Sequence, residues 1–216
     1  MSDFNLALIY RILKPFEKNR LKKVEEVISG SGLAVLEIGC SDGRFLYENK
    51  NKWRNITGVD IDEDKLEKAR KQEFGIPAKF LNVDFGKKPM PFRDSSIDLV
   101  VSIATLQYIY DLDLLFNEIF RVLKKGGHFI FEVPNIAVFW RRIQFLWGRL
   151  PRTSTIRKGW DADIIHYFTF HDLEIFVSGK GFVIEKVSCS GILDGLRQYW
   201  VSFLGADLIF ICRKPK

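Results

Sequence analysis

Short apolar runs rich in branched side chains recur along the chain and alternate with longer stretches in which apolar positions return at helical spacing. The runs predict strands near 33–38, 55–60, 78–83, 97–103, 127–133, 182–188 and 206–213, and the intervening periods predict helices near 43–51, 63–73, 112–123, 135–148 and 170–180. Gly126-Gly127 and Gly179-Lys180-Gly181 read as helix stops. Ahead of them, residues 3–29 place Leu6, Ile9, Leu13, Leu21, Val24 and Ile28 at helical spacing, with Pro15 expected to split the stretch into two helices. Strands alternating with helices give an α/β fold with a parallel sheet and right-handed crossovers.

The junctions carry the chemistry. Leu33 to Ile38 reads as a central strand buried on both faces, and Gly39-Cys40-Ser41-Asp42-Gly43 follows as a turn where missing side chains allow close approach of a ligand to the backbone. Glu37 stands just before that turn. A carboxylate there repels a pyrophosphate and suits an ammonium-bearing ligand, which favours S-adenosylmethionine over a dinucleotide. The turn also lacks the Gly-x-Gly-x-x-Gly spacing of nicotinamide sites. Asp60, closing the second strand, can accept both hydroxyls of an adenosine ribose. Asp84, closing the third, can accept from an adenine amino group, with Ile61 and Phe85 as apolar walls to the ring.

At 216 residues the chain fits one domain. Its 19 Phe predict a phenylalanine-rich core. Cys40, Cys189 and Cys212 have neither disulfide nor metal-ligand spacing, so no metal is expected. No apolar stretch reaches membrane-spanning length and the amino terminus does not open like a signal peptide, so a cytoplasmic protein is expected. The net charge of +6 is matched by the window 139–158 alone, which holds Arg141, Arg142, Arg149, Arg152, Arg157 and Lys158 with no acid. Elsewhere the charges balance, without the continuous basic track of a nucleic-acid binder.

Taken in order, these segments resemble the class I S-adenosylmethionine-dependent methyltransferases. Glu37-Ile-Gly-Cys-Ser-Asp-Gly43 is similar to their glycine motif, Gly58-Val-Asp-Ile-Asp62 to the ribose motif and Asn82-Val-Asp84 to the adenine motif. Ser96 to Ser102 is similar to their fourth strand, and Leu115 to Gly127 to the helix and turn before the fifth. The resemblance implies a Rossmann-like, doubly wound, seven-stranded sheet in the order 3-2-1-4-5-7-6 with the last strand antiparallel. It implies S-adenosylmethionine as cofactor, held by Glu37, Gly39, Cys40, Gly43, Asp60, Ile61, Asp84 and Phe85. A narrower likeness, carried by Val133-Pro-Asn135, the segment Trp140 to Pro151 and Ile165 to Glu174, is to the MetW or type 11 group. Ser41 stands where that group has a second glycine, and Glu37 where it has an aspartate. The likeness also implies an alternative role, as a non-catalytic or regulatory partner of a methionine-biosynthesis acyltransferase.

Methyl transfer needs alignment more than a strong catalytic group, so the acceptor side is harder to read. Tyr108 follows the fourth strand where many members of the resembled family carry a histidine, and with a pKa near 10 it serves as a hydrogen-bond donor. His166, in the family's Ile-His pair, is the candidate base. His128 and His171 read as structural. Residues 1–30 form edge helices or a lid over the cofactor, with Tyr10 and Arg11 as contacts. The basic, aromatic insertion 135–170 has three readings: a clamp (Arg141, Arg142 or Arg149) on an anionic small-molecule acceptor, a surface for anionic lipid or a protein partner, or a solvated helix face.

Overall fold

In the computed structural model, residues 17–18, 20–85, 87, 89–151, 164–192 and 194–216 are described. Seven main strands form one mixed sheet: β1 (Leu33–Ile38), β2 (Trp53–Asp60), β3 (Ala78–Asn82), β4 (Ile97–Ile103), β5 (Leu123–Pro134), β6 (Val183–Ile192) and β7 (Asp207–Arg213). Their spatial order is β3-β2-β1-β4-β5-β7-β6. Neighbours from β3 through β5 are parallel, and β7 runs antiparallel to both β5 and β6. This is the expected topology, with one addition. Glu17–Lys18 pairs antiparallel with Gly191 and Ile192 at the β6 edge, inside the stretch expected to be helical. Pairing across the sheet prevails there over local helical period. The second helix of the expected amino-terminal pair is present over Arg20–Val27, while residues 1–16, including Tyr10 and Arg11, lie outside the described residues.

The helices are α1 (Arg20–Val27), α2 (Arg44–Glu48), α3 (Glu63–Arg70), α4 (Leu112–Val122), α5 (Phe139–Leu146), α6 (Phe170–Gly179), α7 (Asp194–Arg197) and α8 (Val201–Leu204). Side-chain caps set three of their starts. Asp62 accepts from the N–H of Lys65 at 3.2 Å, Asp111 from Leu114 at 2.8 Å and Thr169 from Asp172 at 3.2 Å. Helix α4 stops at Val122, earlier than the glycine pair suggests, because Leu123 is already extended and begins β5. Helix α2 is only five residues long and passes into a tight turn at Lys50–Lys52.

Alternation along the strands divides the core into two layers. On one face Phe116 of α4 meets Phe129, Phe131, Phe176 and Phe182 edge-on, and Phe131 stacks on Phe210 at 5.2 Å, so the phenylalanine-rich core is real. On the other face α1, α2 and α3 cover Val35, Ile56, Phe80 and Leu99. A fully buried ring such as Phe116 contributes about 3–5 kcal/mol against truncation to alanine. Two packed layers hold the carboxyl ends of β1 to β5 rigidly side by side, and the candidate site lies there. Among the described residues no helix is long and apolar enough to cross a membrane.

Candidate active site

The turn after β1 is built from backbone strain and close packing. Gly39 and Gly43 both have φ 75°, and Ser41 adopts φ 52°, the left-handed conformation that explains why a glycine is usual there. The space beside Gly39 is already filled: a Cβ would lie 2.0 Å from Oγ1 of Thr105, in the loop after β4. Gly43 likewise fits against Ala69 and Phe80. These glycines therefore let the turn nest between its neighbours and bring the loops after β1 and β4 into contact.

Asp60 holds that turn. Its Oδ2 accepts from the N–H of Ser41 at 2.8 Å and its Oδ1 from the N–H of Asp62 at 3.0 Å, leaving further lone pairs on each oxygen for a ligand. Next to it, the N–H of Val83 donates to the Asp60 carbonyl at 3.1 Å, and Asn82 Nδ2 donates to that of Ile61 at 3.0 Å, which fixes the tip of β3 beside the tip of β2. Ile61 is 66% exposed at this rim. Asp84 follows β3 and pairs with Lys87 at 2.7 Å.

Glu37 is the anomaly. Its side chain is buried and Oε2 has no hydrogen-bond partner. Burial first, then the negative charges of Asp60 and Asp42, raise its carboxyl well above the ordinary range. A cationic donor would offset that burial and repulsion and return the carboxyl to its ionised, acceptor form, and the ammonium group of an amino-acid moiety is such a donor. Glu37 and Asp60 lie close enough for their charges to interact, Asp84 follows the neighbouring strand β3, and the chemistry of these residues fits an adenosyl amino acid.

Two expected cofactor residues play other parts. Cys40 turns its sulfur into the core, where a Cβ on Gly58 would lie 2.8 Å from it, so only the Cys40 backbone belongs to the turn surface. Its thiol is pushed far up, chiefly by burial. Phe85 is buried in the core cluster that includes Leu36 and Val59.

On the other side, three loops are stitched into one wall. The Gln107 carbonyl accepts from the N–H groups of Ile165 and His166 at 2.9 and 3.1 Å, and the N–H of Ile136 donates to the Phe168 carbonyl at 2.9 Å. His166 Nε2 lies 2.9 Å from the Ile109 carbonyl and donates to it, so this bond does not engage Nδ1. Tyr108 ends a single turn, Leu106–Tyr108, and is 37% exposed. His166 and Tyr108 are thus brought to one wall. His128 pairs with Glu185 at 3.1 Å, and exposed His171 with Glu174 at 3.7 Å.

The sequence reading missed Glu132. It lies near the end of β5, in register with Ile103, and its backbone carbonyl accepts from the N–H of Ala104, the residue before Thr105. It is fully buried, neither carboxylate oxygen has a partner, and burial with nearby Asp207 raises it to about 8. Asp207 accepts from Ser190 Oγ at 3.1 Å. A lone acid within the apolar run Phe129 to Val133 was the available signal. The arginines of the basic window are partly committed: Arg141 donates to the Asn135 carbonyl and Arg142 to that of Ala137. Arg149 is exposed, while Arg152, Arg157 and Lys158 lie outside the described residues.

Comparison with known proteins identifies the family. A family model described as a methyltransferase domain matches residues 36–131. A demethylmenaquinone methyltransferase from Leptospira interrogans is 30% identical over 181 residues, covering 80% of this chain and 71% of the relative. The chain belongs to the class I S-adenosylmethionine-dependent methyltransferases. Among solved structures, a methyltransferase of this class from Mesorhizobium loti superposes with a TM-score of 0.69 at 20% identity, covering 89% of this chain and 96% of the other. One from Methanosarcina mazei gives 0.66 at 21% identity, covering 92% and 99%. At such identities these superpositions establish the fold. The chain spans 41%, 32% and 27% of the lengths of the first curated relatives it matches. Within this methyltransferase family the cofactor is S-adenosylmethionine, and the type 11, MetW-like grouping suggested by the motifs is in keeping with the match.

Proposed function

We propose that this protein transfers a methyl group from S-adenosylmethionine to a small-molecule acceptor by in-line displacement. The observation that carries the reading is the buried, unpartnered Oε2 of Glu37 beside a turn held by Asp60. Glu37 receives the ammonium group, Asp60 the ribose hydroxyls and Asp84 the adenine amino group, with Ile61 at the rim. The cofactor supplies an electrophilic methyl carbon.

The protein's work is then to hold donor and acceptor in line, which can supply roughly 7–11 kcal/mol of the barrier. The wall containing Tyr108 and His166 positions the acceptor. Tyr108 donates a hydrogen bond, and His166 offers Nδ1 to a proton released as the acceptor attacks. The name of the Leptospira relative, at 30% identity, supports a small molecule as acceptor.

Calorimetric titration with S-adenosylmethionine and S-adenosylhomocysteine, followed by measurement of S-adenosylhomocysteine release in fractionated metabolite extracts, tests the reading. Binding of both nucleosides and release with at least one fraction is expected. Tight binding with no release from any fraction contradicts the enzymatic role.

A further inference from the structure

Helix α5 breaks the rule that a short helix needs a buried apolar face. None of its eight residues is buried, although the segment reads Phe-Trp-Arg-Arg-Ile-Gln-Phe-Leu. An isolated helix of this length is marginal in water. Leu146 is 86% exposed and Trp147, just past its end, 77%. The helix is fastened to the α7–α8 segment instead: Phe139 lies 5.8 Å from Phe203, Arg142 sits over the Phe203 ring, Arg197 over that of Trp140, and Trp200 stacks on Phe203 at 4.5 Å. That second segment adds Tyr199, 88% exposed, and Trp200. A cavity of about 560 Å³, lined by Ile136, Arg142, Phe145 and Phe170 among others, adjoins α5.

We propose that the face formed by α5 and the α7–α8 segment docks on an anionic lipid bilayer. Charge decides the occupant. Arg142 and Arg149 are exposed in a window without a single acid, and the sequence continues with three more basic residues to Lys158. A two-fold second copy would set this positive surface against itself. Phosphate headgroups complement it. Trp and Tyr beside Leu and Ile is the composition that settles at the boundary between headgroups and acyl chains, and arginine on the same helix adds attraction to negative lipid. The surface stands independently of the methyl-transfer reading.

Co-sedimentation of the full chain with phosphatidylcholine vesicles, and with vesicles also containing phosphatidylglycerol, tests this. The bound fraction is expected to rise by about tenfold or more with phosphatidylglycerol, to fall as salt is raised, and to drop by a similar factor in the Leu146→Ser, Trp147→Ser double variant. Circular dichroism verifies that the variant is folded. Should it not be, exposed Arg149→Glu supplies the same comparison. Absence of binding to anionic vesicles, equal binding of wild type and variants, or a concentration-dependent dimer abolished by the same substitutions overturns the assignment. Loss of nucleoside binding with vesicle binding intact sinks the cofactor reading alone.

Discussion

The backbone N–H of Ser41 donates to Oδ2 of Asp60 at 2.8 Å, and this one bond holds a non-glycine residue in the left-handed region at φ 52°. The turn after β1 is therefore fastened by the carboxylate that the proposed function assigns to the ribose. Ser41→Gly is expected to keep stability within about 1 kcal/mol of wild type, because relief of strain offsets the added freedom of the unfolded chain. Ser41→Val places a branched side chain in that conformation and should destabilise by about 1–3 kcal/mol. Urea denaturation distinguishes the two; equal stabilities would mean that the left-handed geometry is not strained.

Glu132 gives the protein a pH dependence of unusual sign. A carboxyl raised from 4.5 to about 8 on folding binds more protons in the folded state, so its contribution is most favourable below its unfolded pKa and is lost as pH rises toward about 8. Asp207, also raised chiefly by burial, acts in the same direction. Glu132→Gln mimics the protonated form. Stability of the variant should match wild type near pH 4 and exceed it above pH 8 by on the order of a few kcal/mol. Parallel stability curves across this range would show that Glu132 is satisfied in the fold.

His166 is tied to the Ile109 carbonyl through Nε2, which leaves Nδ1 for chemistry. His166→Ala is expected to lower turnover on an acceptor much more than it changes cofactor affinity, with a stability loss of about 1 kcal/mol from the missing bond. Turnover unchanged on a working acceptor would remove this side chain from the mechanism.

How far the sequence could be read follows from where each residue's neighbours come from. Strands β1 to β3 are runs followed closely by glycine or acid, so strand, turn and tip are all local, and the strand-tip positions of Glu37, Asp60 and Asp84 could be placed before any coordinates. Phe85 and Cys40 could not, since the next layer decides which face of a turn is inside. Glu132 was hidden for the same reason: its burial depends on β4, β7 and α1 together. The α7–α8 segment and the Glu17–Lys18 pairing are held by tertiary contacts that leave no periodic trace. At Gly39 the sequence could not show that Thr105, more than sixty residues on, fills the space beside it.

The account rests on adjoining strand tips holding an adenosyl amino acid, and titration calorimetry with S-adenosylhomocysteine on wild type and Asp60→Ala tests it most directly. Wild type should bind, and the variant should lose about 1–3 kcal/mol, roughly a five- to 150-fold weaker dissociation constant, as expected when charged hydrogen bonds to two hydroxyls are removed. Equal affinities, or a wild-type protein that binds neither this nucleoside nor its methylated form, would contradict it.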